Sequence, residues 1–537
     1  MNMSRAKLYL LITTVLLAIP TTAFCDAAVD LFNSGAAKQV KGDFDSAIVD
    51  LTKAIELKPD YSYAYGLRGF VKMQKGELNE AITDLTKAIA LKPNDAFSYC
   101  NRGNAKQAKG DLDGAIADCT KAIELKPDDA DAYTFRGHAK LQNGDTESAI
   151  VDLTKAINLK PGSFVAYYHR ADAEKQKGQL DSAISDCNMA VEIKPDDANA
   201  YRIRGAARWQ KNDFSGVIND ETKAIELKPD DWNAYLLRGA ARGSKGDVDG
   251  AIADYTKTIE LKPGDWEGYN NRGISKLNKR DYDSAITDLN KAIELKPNYE
   301  WSYFFRGVAK GSKGDMDGVI ADITKAIELK PDNADFYLNR GSAKAHKGDN
   351  DGAIADFTKV IELLPNNASA YSSRGAAKKA KGDLDGANAD FIKASEIKKA
   401  QAFKASGVAH QVKEDYGSAI VDYTKAIQLN PADAEAYCNR GVVREIQGDL
   451  DGAIADLTQS IKLDPNADVT YSDRGLARKA KGDLDGAISD YTKAIQLNPN
   501  NARAYKFRGD AKQAKGDSGG ANADHDKAIQ IKTASPR

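Results

Sequence analysis

Residues 96–129 read AFSYCNRGNAKQAKGDLDGAIADCTKAIELKPDD, and this stretch decides the fold. Small and apolar residues recur at three- and four-residue spacing on both sides of its K-G-D step, which is the pattern of amphipathic helices. Gly110 can adopt the left-handed conformation that ends one helix, Asp111 can cap the start of the next, and Pro127 cannot continue it. The stretch therefore predicts two helices joined by a tight turn.

The prolines show that this pattern is repeated along the chain. They are spaced 34 residues apart from Pro59 to Pro365, and the series resumes at Pro431, Pro465 and Pro499. If each repeat ends two residues past its proline, fifteen repeats run from residue 28 to residue 535. We number them 1 to 15 and count positions from the first residue of each. A fixed period of this length is the signature of a solenoid.

Composition excludes several classes of protein. Of 537 residues, 42% are hydrophobic and only 8% aromatic, which suits a chain built largely of surface. The 76 basic and 78 acidic side chains leave a net charge of -2, without the basic excess of a general nucleic-acid binder. The repeats leave no room for a catalytic domain, and no phosphate-binding loop, H-E-x-x-H or G-x-S-x-G motif is present. We expect no enzymatic activity, no cofactor and no nucleic-acid partner.

The five histidines and five cysteines are scattered. His138 and His169 could approach each other on adjacent repeats, but they lack Cys or carboxylate companions at ligand spacing. We interpret both as solvent-facing residues and predict no metal site.

The repeats resemble the tetratricopeptide repeat. Position 4 is Tyr in thirteen repeats, position 8 is Gly in all but one, where it is Ala171, and Pro recurs at position 32. The resemblance implies an all-α, right-handed superhelical solenoid of helix-turn-helix repeats. Two features depart from the family pattern: position 7 is Arg in thirteen repeats, and position 23 is Asp in all fifteen.

This paired recurrence predicts a ladder of ion pairs beside the apolar seam between the two helices of each repeat. The alternative is that each Asp lies on a solvated helix face and each Arg lays its stem over apolar surface. The candidate pairs join Arg68, Arg102, Arg136, Arg238, Arg272 and Arg306 with Asp84, Asp118, Asp152, Asp254, Asp288 and Asp322, respectively.

The variable positions are the candidates for function. In tetratricopeptide proteins, positions 2, 5, 6, 9, 12 and 13 of the first helix line a concave groove. Repeats 6 to 9 place mainly apolar side chains there, and exposed aromatic surface often marks a binding site. The alternative is that these side chains pack within the solenoid. The candidate groove residues are Trp209, Leu236, Ile274, Leu277, Trp301, Phe304 and Phe305.

Together these features predict a non-enzymatic scaffold that binds a protein or peptide partner in its groove. The rival hypothesis is an accessory subunit of an envelope enzyme or secretion complex, for example one of glycan synthesis. An enzyme would instead require a cluster of ionisable groups with perturbed pKa values in the groove. The identity of the partner and the oligomeric state stay open.

Residues 1–25 have the pattern of a signal peptide. Arg5 and Lys7 precede an apolar run over residues 8–19, which is shorter than the roughly 18 residues that cross a bilayer. Cleavage could follow Ala23 or Cys25, so that the mature chain begins between residues 24 and 28. The bulky Phe24 argues against a lipid anchor on Cys25. We expect an exported bacterial protein, periplasmic or extracellular, without a membrane-spanning segment after cleavage.

One junction interrupts the period. Lys399 stands where a proline is due, and the next proline comes 66 rather than 68 residues after the previous one. The repeat before the junction resembles the last repeat of the chain in sequence, and the repeat after the junction resembles the first. We therefore predict two capped arrays, of eleven repeats over 28–399 and four repeats over 400–535. Whether they form one continuous superhelix stays open.

Overall fold

A computed structural model describes residues 27–534, and within that range the regular structure consists of twenty-nine α-helices. Their bounds are α1 Ala27–Lys41, α2 Phe44–Leu57, α3 Ser62–Lys75, α4 Leu78–Leu91, α5 Ala96–Ala108, α6 Leu112–Leu125, α7 Ala130–Gln142, α8 Thr146–Leu159, α9 Phe164–Gln176, α10 Leu180–Ile193, α11 Ala198–Gln210, α12 Phe214–Leu227, α13 Trp232–Ser244, α14 Val248–Leu261, α15 Trp266–Asn278, α16 Tyr282–Leu295, α17 Glu300–Ser312, α18 Met316–Leu329, α19 Ala334–His346, α20 Asn350–Leu363, α21 Ala368–Ala380, α22 Leu384–Val412, α23 Tyr416–Leu429, α24 Ala434–Ile446, α25 Leu450–Leu463, α26 Asp468–Ala480, α27 Leu484–Leu497, α28 Ala502–Ala514 and α29 Ser518–Ala534. The predicted all-α repeat fold is confirmed.

The turn between the two helices of the quoted repeat forms as the sequence predicts. In repeat 3, Gly110 has φ +88° and ends α5. The Asp111 side chain then accepts a hydrogen bond of 3.0 Å from the backbone N–H of Gly114, which caps α6. This satisfies one of the amide groups that a helix leaves unpaired at its start. The two helices of the repeat can therefore fold back on each other within a few residues.

The core of each repeat lies between its two helices. In repeat 8, Ala285, Leu289 and Ala292 of α16 are fully buried. They face Gly273 of α15, where an added Cβ would lie 2.9 Å from the Leu289 Cγ. The glycine at position 8 thus lets the helices approach closely, which explains its recurrence. Stability depends on this packing rather than on intrinsic helix propensity.

By its internal contacts the chain divides into two compact units, residues 1–216 and 217–537. Of the first, the structure describes residues 27–216, which hold repeats 1 to 5 and the first helix of repeat 6. Of the second it describes residues 217–534, which hold repeats 7 to 15. Each unit is described separately below.

The junction at 399/400 lies inside α22, a single helix of 29 residues. Because the proline and two residues of the usual loop are missing, the second helix of repeat 11 runs on into the first helix of repeat 12. One consequence is that Phe391, at position 24, is 37% exposed, whereas Leu289 and Tyr423 are fully buried at the same position. The stack is therefore interrupted here. The division into arrays of eleven and four repeats stays a prediction.

Candidate functional site: the ion-pair ladder and the first-helix face

Each of the six candidate arginines pairs with the expected aspartate. The shortest distances between a guanidinium nitrogen and a carboxylate oxygen are 2.5 to 2.7 Å. In repeat 8 the contact is bidentate: Arg272 Nε and Nη2 donate to Asp288 Oδ2 and Oδ1 at 2.8 and 2.7 Å. Asp288 is only 4% exposed, so the alternative of a solvated aspartate does not hold for it.

Three further partners of each ion pair were not predicted. In repeat 8, Lys276 Nζ lies 2.8 Å from Asp288 Oδ2, and Arg272 Nη1 donates to Thr256 Oγ1 of the preceding repeat at 3.1 Å. The Arg272 guanidinium carbon also lies 5.7 Å from the centre of the Tyr269 ring, within cation–π range. The ladder therefore joins the two helices of repeat 8 and also ties this repeat to the one before it.

A recurring sequence pattern could have predicted the second cation and the threonine. Position 11 is Lys or Arg in thirteen repeats, and position 25 is Thr in eleven. At the junction the threonine of position 25 and the arginine of position 7 are both missing: Ile392 stands at position 25 of repeat 11, and Ser406 stands at position 7 of repeat 12. Ser406 Oγ instead donates to Asp422 at 2.6 Å. The hydrogen bond from the position-7 arginine to the preceding repeat is thus absent where α22 interrupts the stack.

Three aromatic side chains of α17 form a patch on the surface made by the first helices of the second compact unit, called here the first-helix face. This aromatic patch consists of Trp301, Phe304 and Phe305, all half-buried. Their ring centres are 5.3 to 6.0 Å apart. Ile274 and Leu277 on α15, which contacts α17, are also half-buried. The patch therefore leaves apolar and aromatic surface partly exposed.

Part of this patch also belongs to the core. The rings of Trp301 and Phe304 lie 5.2 and 5.3 Å from the ring of Phe336, which is fully buried on α19. Phe305 is not among the side chains packed against this core cluster. Trp301 and Phe304 thus stabilise the stack and also present surface, whereas Phe305 mainly presents surface. Their role in a binding groove stays a prediction.

Two candidate groove residues lie elsewhere. Leu236 is 9% exposed and packs with Ala251 and Tyr255, so it is a core residue and its assignment to the groove is corrected. Trp209 belongs to the first compact unit, where its ring centre lies 5.3 Å from that of Phe214. It is half-buried and is therefore treated apart from the aromatic patch.

The interpretation of two histidines as ordinary solvent-facing residues is also corrected. The rings of His138 and His169 stack across repeats 4 and 5 with centres 3.6 Å apart and planes tilted by 20°. Desolvation lowers the pKa of His169 to about 3, and the neighbouring His138 acts in the same direction. Desolvation also lowers the pKa of His138. The pair is therefore neutral at neutral pH, which allows the rings to stack without charge repulsion.

Within residues 27–534, no three His, Cys, Asp or Glu side chains converge in a way that could hold a metal ion. None of the helices in the described part of the chain combines the length and apolarity needed to cross a bilayer.

Successive helix pairs, joined by a repeated ion-pair ladder, define a helical-repeat protein. Models of the TPR repeat match residues 71–110, 413–445 and 475–516, and models of the tetratricopeptide repeat match residues 31–61, 96–129, 136–198, 266–299, 306–368 and 434–467. The chain belongs to the tetratricopeptide repeat family.

Solved structures of the same family resemble parts of the chain. MamA is 30% identical over 32% of this chain and 93% of its own, with a TM-score of 0.31. YrrB, described as a TPR protein with an unusual peptide-binding site, is 22% identical over 34% of this chain and 95% of its own, with a TM-score of 0.32. Yeast Tom70 is 17% identical over 85% of this chain and 96% of its own, with a TM-score of 0.31. Among curated protein sequences no significant match was found.

Proposed function

We propose that the protein is a non-catalytic scaffold that binds a protein or peptide partner on the first-helix face of repeats 8 and 9. The observation that carries this proposal is the aromatic patch of Trp301, Phe304 and Phe305, half-exposed on the face that the family uses for ligands. Large aromatic side chains contribute much of the binding energy in protein interfaces because they bury a large apolar area at low entropic cost.

The positions of the charged side chains on α17 also favour partner binding on this face. In repeat 9 the basic side chains of α17 are directed to the ladder: Arg306 and Lys310 both contact Asp322, at 2.5 and 2.9 Å. They are therefore engaged within the repeat, and the patch beside them consists of uncharged rings. A partner can bury apolar side chains there without desolvating a lysine or arginine.

A double substitution tests the proposal. Replacing Phe305 and Leu277 with alanine is expected to weaken partner binding by at least about 2 kcal/mol, because both side chains present surface and neither is in the core cluster of Phe336. Partners captured from the exported fraction by the wild-type protein would be identified by mass spectrometry and their affinities measured with both variants.

The matched control is Lys325→Ala on α18, the second helix of repeat 9. Its side chain is 48% exposed and lies outside the first-helix face. We expect this variant to bind like the wild type. Equal binding by the wild type and the folded Phe305/Leu277 variant would contradict the assignment of the face.

We also propose that the protein acts outside the cytoplasm, in the periplasm or beyond the cell. The support is the signal-peptide pattern of residues 1–25, which lie outside the described residues. The intact mass of the exported protein tests it: the mature chain should begin between residues 24 and 28, and retention of residues 1–23 would contradict it.

A further inference from the structure

Position 11 of the repeat normally supplies a second cation to the buried aspartate at position 23. In repeat 3, Lys106 Nζ lies 2.8 Å from Asp118 Oδ2, and in repeat 4, Lys140 Nζ lies 2.9 Å from Asp152 Oδ2. Repeat 5 has Glu174 at this position instead. A carboxyl group therefore stands where neighbouring repeats place an ammonium group.

Glu174 is buried and incompletely partnered. The residue is 8% exposed, and its Oε2 has no hydrogen-bond partner within the described residues. The charged groups that face it are Arg170 on its own helix, with Nε 3.9 Å from Oε1, and Asp186 on α10. Arg170 already forms an ion pair with Asp186, to which its Nε and Nη2 donate hydrogen bonds of 2.6 and 2.8 Å.

Other nearby charged groups are engaged elsewhere. Lys140 of α7 is held by Asp152, and Lys175, the next residue along α9, is held by Asp172 at 2.7 Å. Arg208, at position 11 of α11, lies 3.6 Å from Asp213. An ionised Glu174 would therefore share the single Arg170 guanidinium with Asp186, and two buried carboxylates beside one cation repel each other.

We propose that Glu174 is a proton-operated latch in repeat 5. With its proton, Glu174 is neutral and does not repel Asp186, so α9 packs on α10 as in the rest of the stack. When the proton is released to water, the carboxylate of Glu174 is repelled by that of Asp186, and the packing of α9 on α10 loosens.

The titration of Glu174 has a defined direction. Burial raises its pKa to about 8, and the neighbouring Asp186 adds to the effect. Because the folded pKa is above the ordinary value of 4.5, the contribution of this group to stability is fully present below pH 4.5. It is lost as the pH rises through about 8.

The latch lies close in sequence to the stacked rings of repeats 4 and 5. The same helix α9 carries His169, which stacks on His138 of α7, and Tyr168, whose ring centre is 5.0 Å from that of His169. Loosening of α9 would separate the ring of His169 from that of His138 on α7. The inference is independent of partner binding at the aromatic patch, which lies in the other compact unit.

Amide hydrogen exchange of the full-length protein tests the latch. Exchange rates of α9 and α10 would be measured for the wild type and for Glu174→Gln at pH 6.5 and again at pH 8.5. At each pH the wild type is compared with the variant, because this comparison cancels the intrinsic pH dependence of amide exchange. The glutamine keeps a neutral donor at this site and cannot ionise. We expect the ratio of the wild-type opening constant to the variant opening constant to rise by about tenfold or more from pH 6.5 to pH 8.5. A ratio that stays constant would overturn the proposal.

Three further measurements do not depend on the Glu174→Gln variant. Infrared spectroscopy of the wild type should show a protonated carboxyl band at pH 6.5 that is gone at pH 9.5, and absence of the band at pH 6.5 would refute the latch. Lys276→Glu, which copies the arrangement into repeat 8, should make the exchange of α15 and α16 pH-dependent in the same direction. Glu174→Lys should restore the usual cation and remove the pH dependence of α9.

Discussion

Replacing Asp288 with alanine is expected to lower the free energy of opening of repeat 8 by about 3 to 5 kcal/mol. The substitution leaves Arg272 and Lys276 without their common acceptor, and their side chains are only 17% and 21% exposed. A largely buried cation that loses its counter-ion must either remain poorly solvated or disrupt the packing around it. Amide hydrogen exchange of α15 and α16 in the full-length protein would measure the loss.

The control for this prediction is an exposed ion pair attached to the same repeat. Lys279 Nζ lies 2.5 Å from Asp249 Oδ1, with side chains that are 46% and 80% exposed. Because such pairs are solvated and screened by salt, Lys279→Ala should cost only about 0 to 1 kcal/mol. If Asp288→Ala and Lys279→Ala lowered the free energy of opening equally, the ladder would contribute no more to stability than a surface salt bridge does.

Phe336→Ala is expected to cost about 3 to 5 kcal/mol in the stability of repeats 9 and 10. Phe336 is fully buried and supports the rings of Trp301 and Phe304, so its removal leaves a cavity under the aromatic patch. Urea denaturation followed by circular dichroism, together with hydrogen exchange of α17 and α19, would measure the change.

The matched variant is Phe305→Ala in the same patch. Phe305 contacts Trp301 and Phe304 on the half-exposed side of the patch, so we expect a cost of only about 1 kcal/mol for the lost ring contacts. If Phe305→Ala destabilised the stack as much as Phe336→Ala, Phe305 would have to be reassigned to the core and would no longer report on binding.

The repeat made the ladder predictable. Arg272 and Asp288 recur at fixed positions in nearly every repeat, and helix periodicity places those positions beside one seam. The same regularity at position 11 would have revealed Lys276 as the second partner. Features that every repeat shares can thus be inferred from their recurrence alone.

Features that occur in one repeat could not be predicted in the same way. Leu236 occupies a groove position but is buried, because the Tyr255 side chain of its own repeat packs against it. Phe336 occupies a position that is small in most repeats, and its burial under Trp301 depends on side chains of two repeats at once. Such packing is decided by neighbouring side chains rather than by position in the repeat.

The most direct test of the partner-binding face is site-specific photocrosslinking in the cells that produce the protein. A photoreactive phenylalanine derivative would replace either Phe305 on α17 or Lys325 on α18, which belong to the first and second helix of the same repeat. We predict that the derivative at position 305 forms a covalent adduct with a discrete partner protein and that the derivative at position 325 does not. Adducts of equal yield from both positions, or none from position 305, would contradict the assignment of partner binding to the aromatic patch.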